Sequence, residues 1–195
     1  MLKSFSMTGT GKQVIFMAQL KMLRYPAELV KHPLKPGVRV ETHCDAYTQR
    51  WCDMIKKLTH NDAWRPYTFK CSMLDKPDIK PDQIFYAIAP DGMPVATATA
   101  RIDPATKHGT VHMVYADESY RGLGLGRAVC EAVVECFEKN GVLEADLCTD
   151  DDRLAAISLY LSLGFLPYLY DETMPERWSE IKKKLNLETL AAFDA

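Results

Sequence analysis

The 195-residue chain has no apolar run approaching the roughly 18 residues that a membrane span needs, so no membrane partner is expected. Its six cysteines, Cys44, Cys52, Cys71, Cys130, Cys136 and Cys148, form no C-x-x-C pair and no Cys/His cluster with zinc spacing. They read as small buried hydrophobes of a protein kept in a reducing cytoplasm, without a metal. An excess of one charge is also lacking: 24 Lys and Arg against 26 Asp and Glu leave a net −2, and the basic residues are scattered. A nucleic-acid binder would present a basic face, so no such partner is expected. Residues 1–20 hold basic residues and one short apolar run, with neither a convincing hydrophobic region nor a cleavage site, so no secretory leader is expected. Two common phosphate motifs are missing. No G-x-x-x-x-G-K-S/T string occurs, and Gly122 and Gly124 are followed by Arg127 where the dinucleotide fingerprint needs a third glycine.

What is present is a different glycine loop, Arg121-Gly122-Leu123-Gly124-Leu125-Gly126-Arg127. It follows an apolar, strand-like run at 111–116 and opens an amphipathic helix in which Leu125, Ala128, Val129, Ala132, Val133, Cys136 and Phe137 form one stripe. Asn140-Gly141 stops that helix. Glycines let the backbone come close to a ligand. The unpaired N–H groups of a first helical turn point at an anion, with the positive end of the helix dipole behind them. Arg121 and Arg127 bracket the loop with guanidinium forks that suit phosphate oxygens.

Further along, 143–147 alternates like a strand. Asp150-Asp151-Asp152 follows and is expected to cap the next helix. That helix carries Ala156 and Tyr160, and Gly164-Phe165 closes it. Upstream, 38–42 reads as a strand and Asp45 as the cap of a helix with Tyr47, Trp51, Met54, Ile55 and Leu58 on one face. Residues 84–89 and 94–102 read as a hairpin around Asp91-Gly92. After a strand to about Tyr170, Trp178, Ile181 and Leu185 mark a terminal helix with Glu180 and Lys184 paired at i,i+4. Residues 1–36 are read as an N-terminal extension and 37–195 as the main domain. The order of elements implies an α+β fold: a mixed, mostly antiparallel central sheet flanked by helices.

The R-x-x-G-x-G loop at Arg121, Gly124 and Gly126, together with Ala156, Tyr160, Gly164 and Phe165 at their spacing, resembles the GNAT superfamily of N-acetyltransferases. The resemblance covers residues 37–172, and some strings are similar to bacterial mycothiol-synthase-like members. It implies a co-substrate, acetyl-CoA, whose pantetheine arm pairs with the backbone of Val114, Tyr115 and Ala116. Its pyrophosphate would rest on the amides of Gly122, Leu123, Gly124, Leu125, Gly126 and Arg127, beside Arg121. Tyr160 takes the family position of a proton donor to the sulfur. His112 stands where a glutamate base is common, and Arg153 where an asparagine is common. The resemblance also implies an acceptor pocket near His60, Trp64, Tyr67 and Phe69, residues that equally suit a core. Family members usually close with a further strand. Here a helix follows instead, and Gln13–Arg24 is a candidate for the missing strand.

The expected activity is transfer of an acetyl group from acetyl-CoA to an amine of a small molecule, by direct attack on the thioester. A protein N-acetyltransferase and a non-catalytic acyl-CoA-binding sensor are the alternatives. A homodimer is compatible with this reading.

Overall fold

The computed structural model describes residues 18–194. The chain runs β1 (Leu20–Arg24), β2 (Arg39–Thr42), α1 (Thr48–Thr59), α2 (Pro66–Phe69), β3 (Ile84–Ile88), β4 (Pro94–Ile102), β5 (His108–Ala116), α3 (Leu125–Lys139), β6 (Glu144–Thr149), α4 (Leu154–Ser162), β7 (Leu166–Leu169), α5 (Met174–Lys184) and β8 (Phe193–Asp194). The strands form one sheet in the order β2-β3-β4-β5-β6-β1-β7-β8. Among the described residues only β5–β6 and β7–β8 pair in parallel. The expected mixed, mostly antiparallel α+β fold is the observed one.

Two cores cover the two sheet faces. One packs α3, α4 and α5 on Leu20, Met22, Ala98, Val111 and Leu147. The other packs Trp51, Met54 and Ile55 of α1 and Phe69 of α2 on Ile84, Tyr86 and Ile88 of β3. The expected apolar face of α1 is therefore buried as its spacing implies. Its start differs. Asp45 opens a 3-10 turn, and the N-cap of α1 is Tyr47, without a side-chain bond.

The N-terminal segment and the C-terminus show what local patterns missed. β1 lies inside the sheet, antiparallel to both β6 and β7. Leu20 and Met22 are fully buried by it. The candidate for the missing strand is therefore a strand over residues 20–24, while 13–17 lie outside the described residues. After α5 the chain turns at Asn186, in the left-handed region, and adds the two-residue β8 beside β7. So short a strand has no periodicity to read. In α5, Glu180 pairs with Lys183 at i,i+3 (2.7 Å) rather than with Lys184.

The aspartates before α4 do not cap it. Its N-cap is Arg153, with no side-chain cap bond. Asp150 binds Arg153 at 3.0 Å, and Asp151 takes both Nε and Nη2 of Arg177. A guanidinium is a stronger partner for a carboxylate than a neutral amide, which draws these side chains away from the helix end.

Because Met22 sits in the core between Leu147 and Pro167, Met22→Asp should cost about 3 kcal/mol or more, the scale of burying an unpaired charge. Urea unfolding is the check. A loss under about 1 kcal/mol would mean that β1 is peripheral to the folded unit.

Candidate active site

The site begins with an interrupted ladder. β5 pairs with β6 over only His108–Thr110 and Glu144–Asp146. Beyond Thr110 the two strands part. A β-bulge supplies the bend: Thr99 faces His112 but Thr97 faces Tyr115, so Met113 and Val114 stand opposite one residue. Met113 has φ 51°, an uncommon conformation for a long side chain. The backbone of 111–116 thus keeps its bonds to β4 and turns an unpaired edge toward the gap.

The glycine loop closes one end of that gap. Gly122 and Gly124 have φ 85° and 70°, in the left-handed region that glycine adopts without strain, and a Cβ at either would meet nothing within 4 Å. Gly124 is the N-cap of α3 and no side chain caps the helix. The first backbone bond there is Ala128 N–H to Gly124 C=O, 2.9 Å, which leaves the N–H groups ahead of it directed at the cleft.

The cleft itself has a volume of about 670 Å³. Val114, Tyr115, Ala116, Arg121, Gly122, Gly124, Leu125, Gly126, Arg127, Arg153 and Tyr160 all line it. Of the loop residues named from the sequence, Leu123 instead packs against the core. Lys57 and Leu58 of α1 form a further wall that sequence reasoning did not find. Lys57 sits on a polar helix face, and nothing in its spacing separates it from other surface lysines. A larger hollow of about 860 Å³ lies beyond α3, beneath residues 31–34. Its carboxylates Glu131 and Glu135 are already held by His32 (3.0 Å) and Lys31 (2.6 Å), and it meets neither the loop nor the split strands.

The basic residues around the cleft, Lys57, Arg121, Arg127 and Arg153, each stand beside a carboxylate. Arg127 donates from Nη2 to Ser162 Oγ at 3.0 Å, while its buried Nη1 makes no hydrogen bond and faces Glu131 Oε1 at 3.7 Å. Arg121 is exposed beside Glu118 (3.1 Å), whose own carboxylate is a solvated turn group. Lys57 lies 3.4 Å from Asp117. A buried guanidinium N–H without an acceptor is costly unless a ligand completes it.

Tyr160 and His112 flank the split from opposite faces. Tyr160 is 6% exposed on α4, on the α3 side, and its ring meets Phe165 edge-on at 6.4 Å. Burial raises its phenol above the ordinary value, so the hydroxyl stays protonated. His112 faces the α1/α2 side with Thr99, whose buried hydroxyl lacks a partner. Burial first, and then the Arg101 guanidinium, push His112 down to about 4. It does not line the cleft. Of the expected acceptor residues, Phe69 is fully buried in the α1/α2 core and Trp64 stacks edge-on upon Trp51 at 5.3 Å, whereas Tyr67 is 78% exposed.

Set beside known proteins, residues 45–165 match the acetyltransferase (GNAT) family. The chain belongs to that family. A mycothiol acetyltransferase of Kocuria rhizophila is 42% identical over 57 residues, 29% of this chain and 19% of that protein. The matched stretches span between 17% and 28% of the mycothiol acetyltransferases' own length. The ribosomal protein bS18-alanine N-acetyltransferase of Escherichia coli K12 is 28% identical over 111 residues, 57% of this chain and 70% of that protein. In three dimensions the chain is similar to a structure of the NatC complex bound to Gag peptide and CoA, with TM-score 0.53, 20% identity, and 66% of this chain and 84% of that chain covered.

The GNAT family uses acetyl-CoA, and the residues here suit it. An extended thioester with a pyrophosphate suits a free strand edge, a ring of amide donors and a guanidinium N–H that no hydrogen bond takes up. The 111–116 edge, the loop at 122–127 and Arg127 Nη1 supply these.

The depressed His112 value has a consequence for stability. The unfolded imidazole takes a proton near pH 6.5 while the folded one does not until about 4, so stability should rise with pH across that window, by at most about 3 kcal/mol. Chemical denaturation of the wild type and His112→Gln from pH 4 to 7.5 tests this. Identical pH slopes in the two would place the His112 titration elsewhere.

Proposed function

We propose that the protein transfers an acetyl group from acetyl-CoA to an amine of a small molecule. The observation that supports this most is the coincidence, in one cleft, of an open strand edge, an uncapped glycine-loop helix and a buried tyrosine. Acetyl-CoA brings an acyl group activated as a thioester. The chain's own residues then have four tasks.

Val114 to Ala116 hold the pantetheine arm through their unpaired backbone edge, and the N–H groups of Gly122 to Arg127 hold the pyrophosphate, with Arg121, Arg127 and Arg153 adding charge. This fixes the thioester at the split between β5 and β6, where proximity lowers the barrier. Tyr160 gives a proton or a hydrogen bond to the departing sulfur. A thiol has pKa about 8.5, so each unit by which the phenol lies above that value costs about 1.4 kcal/mol for full transfer, and hydrogen bonding to the thiolate is the larger part of its help.

His112 accepts the proton from the attacking nitrogen, on the opposite face of the sheet. Near 4 it is a weaker base than free imidazole by about 3 kcal/mol, but it is neutral at every physiological pH and its lone pair is always available. An amine of pKa about 10.4 is mostly protonated at pH 7, so the base acts on a minor, neutral population or through water.

A second reading, acetylation of a protein α-amine, is favoured by one finding. The bS18-alanine N-acetyltransferase matches over a longer stretch than the mycothiol enzymes, and over most of its own length. The loop and Tyr160 would serve both reactions equally, since they act on the donor.

Calorimetric titration with acetyl-CoA, with NAD and ATP as controls, is the test, followed by free-thiol release on small amines and on peptides with an N-terminal alanine. Micromolar binding of acetyl-CoA alone is expected. Gly124→Glu should abolish it, because the side chain enters the phosphate site at a φ of 70°. Tyr160→Phe should leave binding nearly intact and lower turnover by about 10² or more. Unchanged turnover in that variant would remove Tyr160 from the mechanism.

A further inference from the structure

The strand β1 ends in a buried cation. Arg24, the last residue of β1, is 4% exposed. Its Nε donates to the Leu163 carbonyl at 2.9 Å, and its Nη2 donates to the Ala27 carbonyl at 2.7 Å and to Glu138 Oε1 at 3.0 Å. Leu163 is the C-cap of α4, and Glu138 lies in the last turn of α3. One guanidinium therefore ties together the C-terminal ends of two helices. A cation there is favoured twice over, by the negative ends of the helix dipoles and by a carbonyl left unpaired at a helix terminus. The turn after α4 is built around it: Gly164 has φ 84°, and a Cβ at that position would lie 3.6 Å from Arg24 Nε.

Both helices face the cleft. α3 begins at the glycine loop, and α4 carries Arg153 at its head and Tyr160 in its last turn. On the reading above, the loop holds the phosphates of a ligand whose sulfur must reach Tyr160. The separation of α3 from α4 then decides whether both ends can be engaged at once. We infer that Arg24 is a positioning residue for acyl transfer: by joining the ends of α3 and α4 it sets the spacing between the phosphate loop and Tyr160. β1 reinforces this. It pairs with all of Leu20–Arg24 against β6, the strand that carries the far wall of the split, and Gln19 Nε2 reaches Asp150 at 2.9 Å, the partner of Arg153. Lysine cannot replace the residue fully, because its single ammonium lacks the planar fork that spans both acceptors.

The inference rests on the acetyl-CoA reading, and a two-ligand comparison separates them. Acetyl-CoA spans both helices. Adenosine 3′-phosphate 5′-diphosphate, the phosphate half of the same molecule, needs only the loop. For Arg24→Met, calorimetry should show acetyl-CoA weakened about tenfold and the nucleotide fragment within about twofold of wild type. Turnover should fall by about 10², the scale of a misplacement near 1 Å, and Arg24→Lys should recover part of it. Glu138→Ala breaks only the half-exposed arm of the clamp and should move both readouts in the same direction by less, so the test survives if Arg24→Met folds poorly. Equal weakening of both ligands, or of neither, in both variants would overturn the clamp alone. Failure of wild type to bind acetyl-CoA would overturn the reading of the cleft, and the clamp with it.

Discussion

Everything at this site depends on a hydrogen-bond ladder that stops. Parallel strands normally pair along their length, since an unpaired N–H or C=O in the interior is costly. Here β5 and β6 pair over three residues and then diverge, and a bulge at Met113–Val114 directs the bend. The cost of the open edge is tolerated because β5 keeps β4 on one side and β6 keeps β1 on the other. The gap between them is a strand-shaped vacancy in a sheet otherwise complete on both flanks. The glycine loop and the uncapped start of α3 stand at the end of the same gap.

The two sheet faces divide the chemistry. On one, α3 and α4 bring the loop and Tyr160 together in the cleft. On the other, beneath α1 and α2, His112 stands next to the unpartnered hydroxyl of Thr99. Burial acts on both Tyr160 and His112 in the direction of the neutral form, raising the phenol and lowering the imidazole, because a charge in a dry interior is the expensive state.

Much of this was legible in the sequence because it is local. A glycine loop between a strand and an amphipathic helix is readable from spacing, and so is the Ala156, Tyr160, Gly164, Phe165 block. Both fall in the structure at the cleft or beside it. What failed to show did so for physical reasons. The aspartates 150–152 resemble a cap until Arg177 and Arg153 claim two of them. For Phe69 and Trp64, which suited a pocket and a core equally, only the packing on Trp51 decided for the core. Lys57 reaches the cleft only because α1 folds over the open side of the sheet.

The sequence by itself determined the class of fold, the strand-loop-helix unit at 111–139 and the helix that carries Tyr160, since each is set by residues within a few turns of one another and by the periods of helix and strand. Only the tertiary structure decided that residues 20–24 enter the sheet between β6 and β7, that Arg24 joins two helix ends more than 100 residues away, and which face of the sheet His112 occupies. Those facts rest on pairings between distant segments and on a bulge that shifts the alternation, and neither leaves a mark on local spacing.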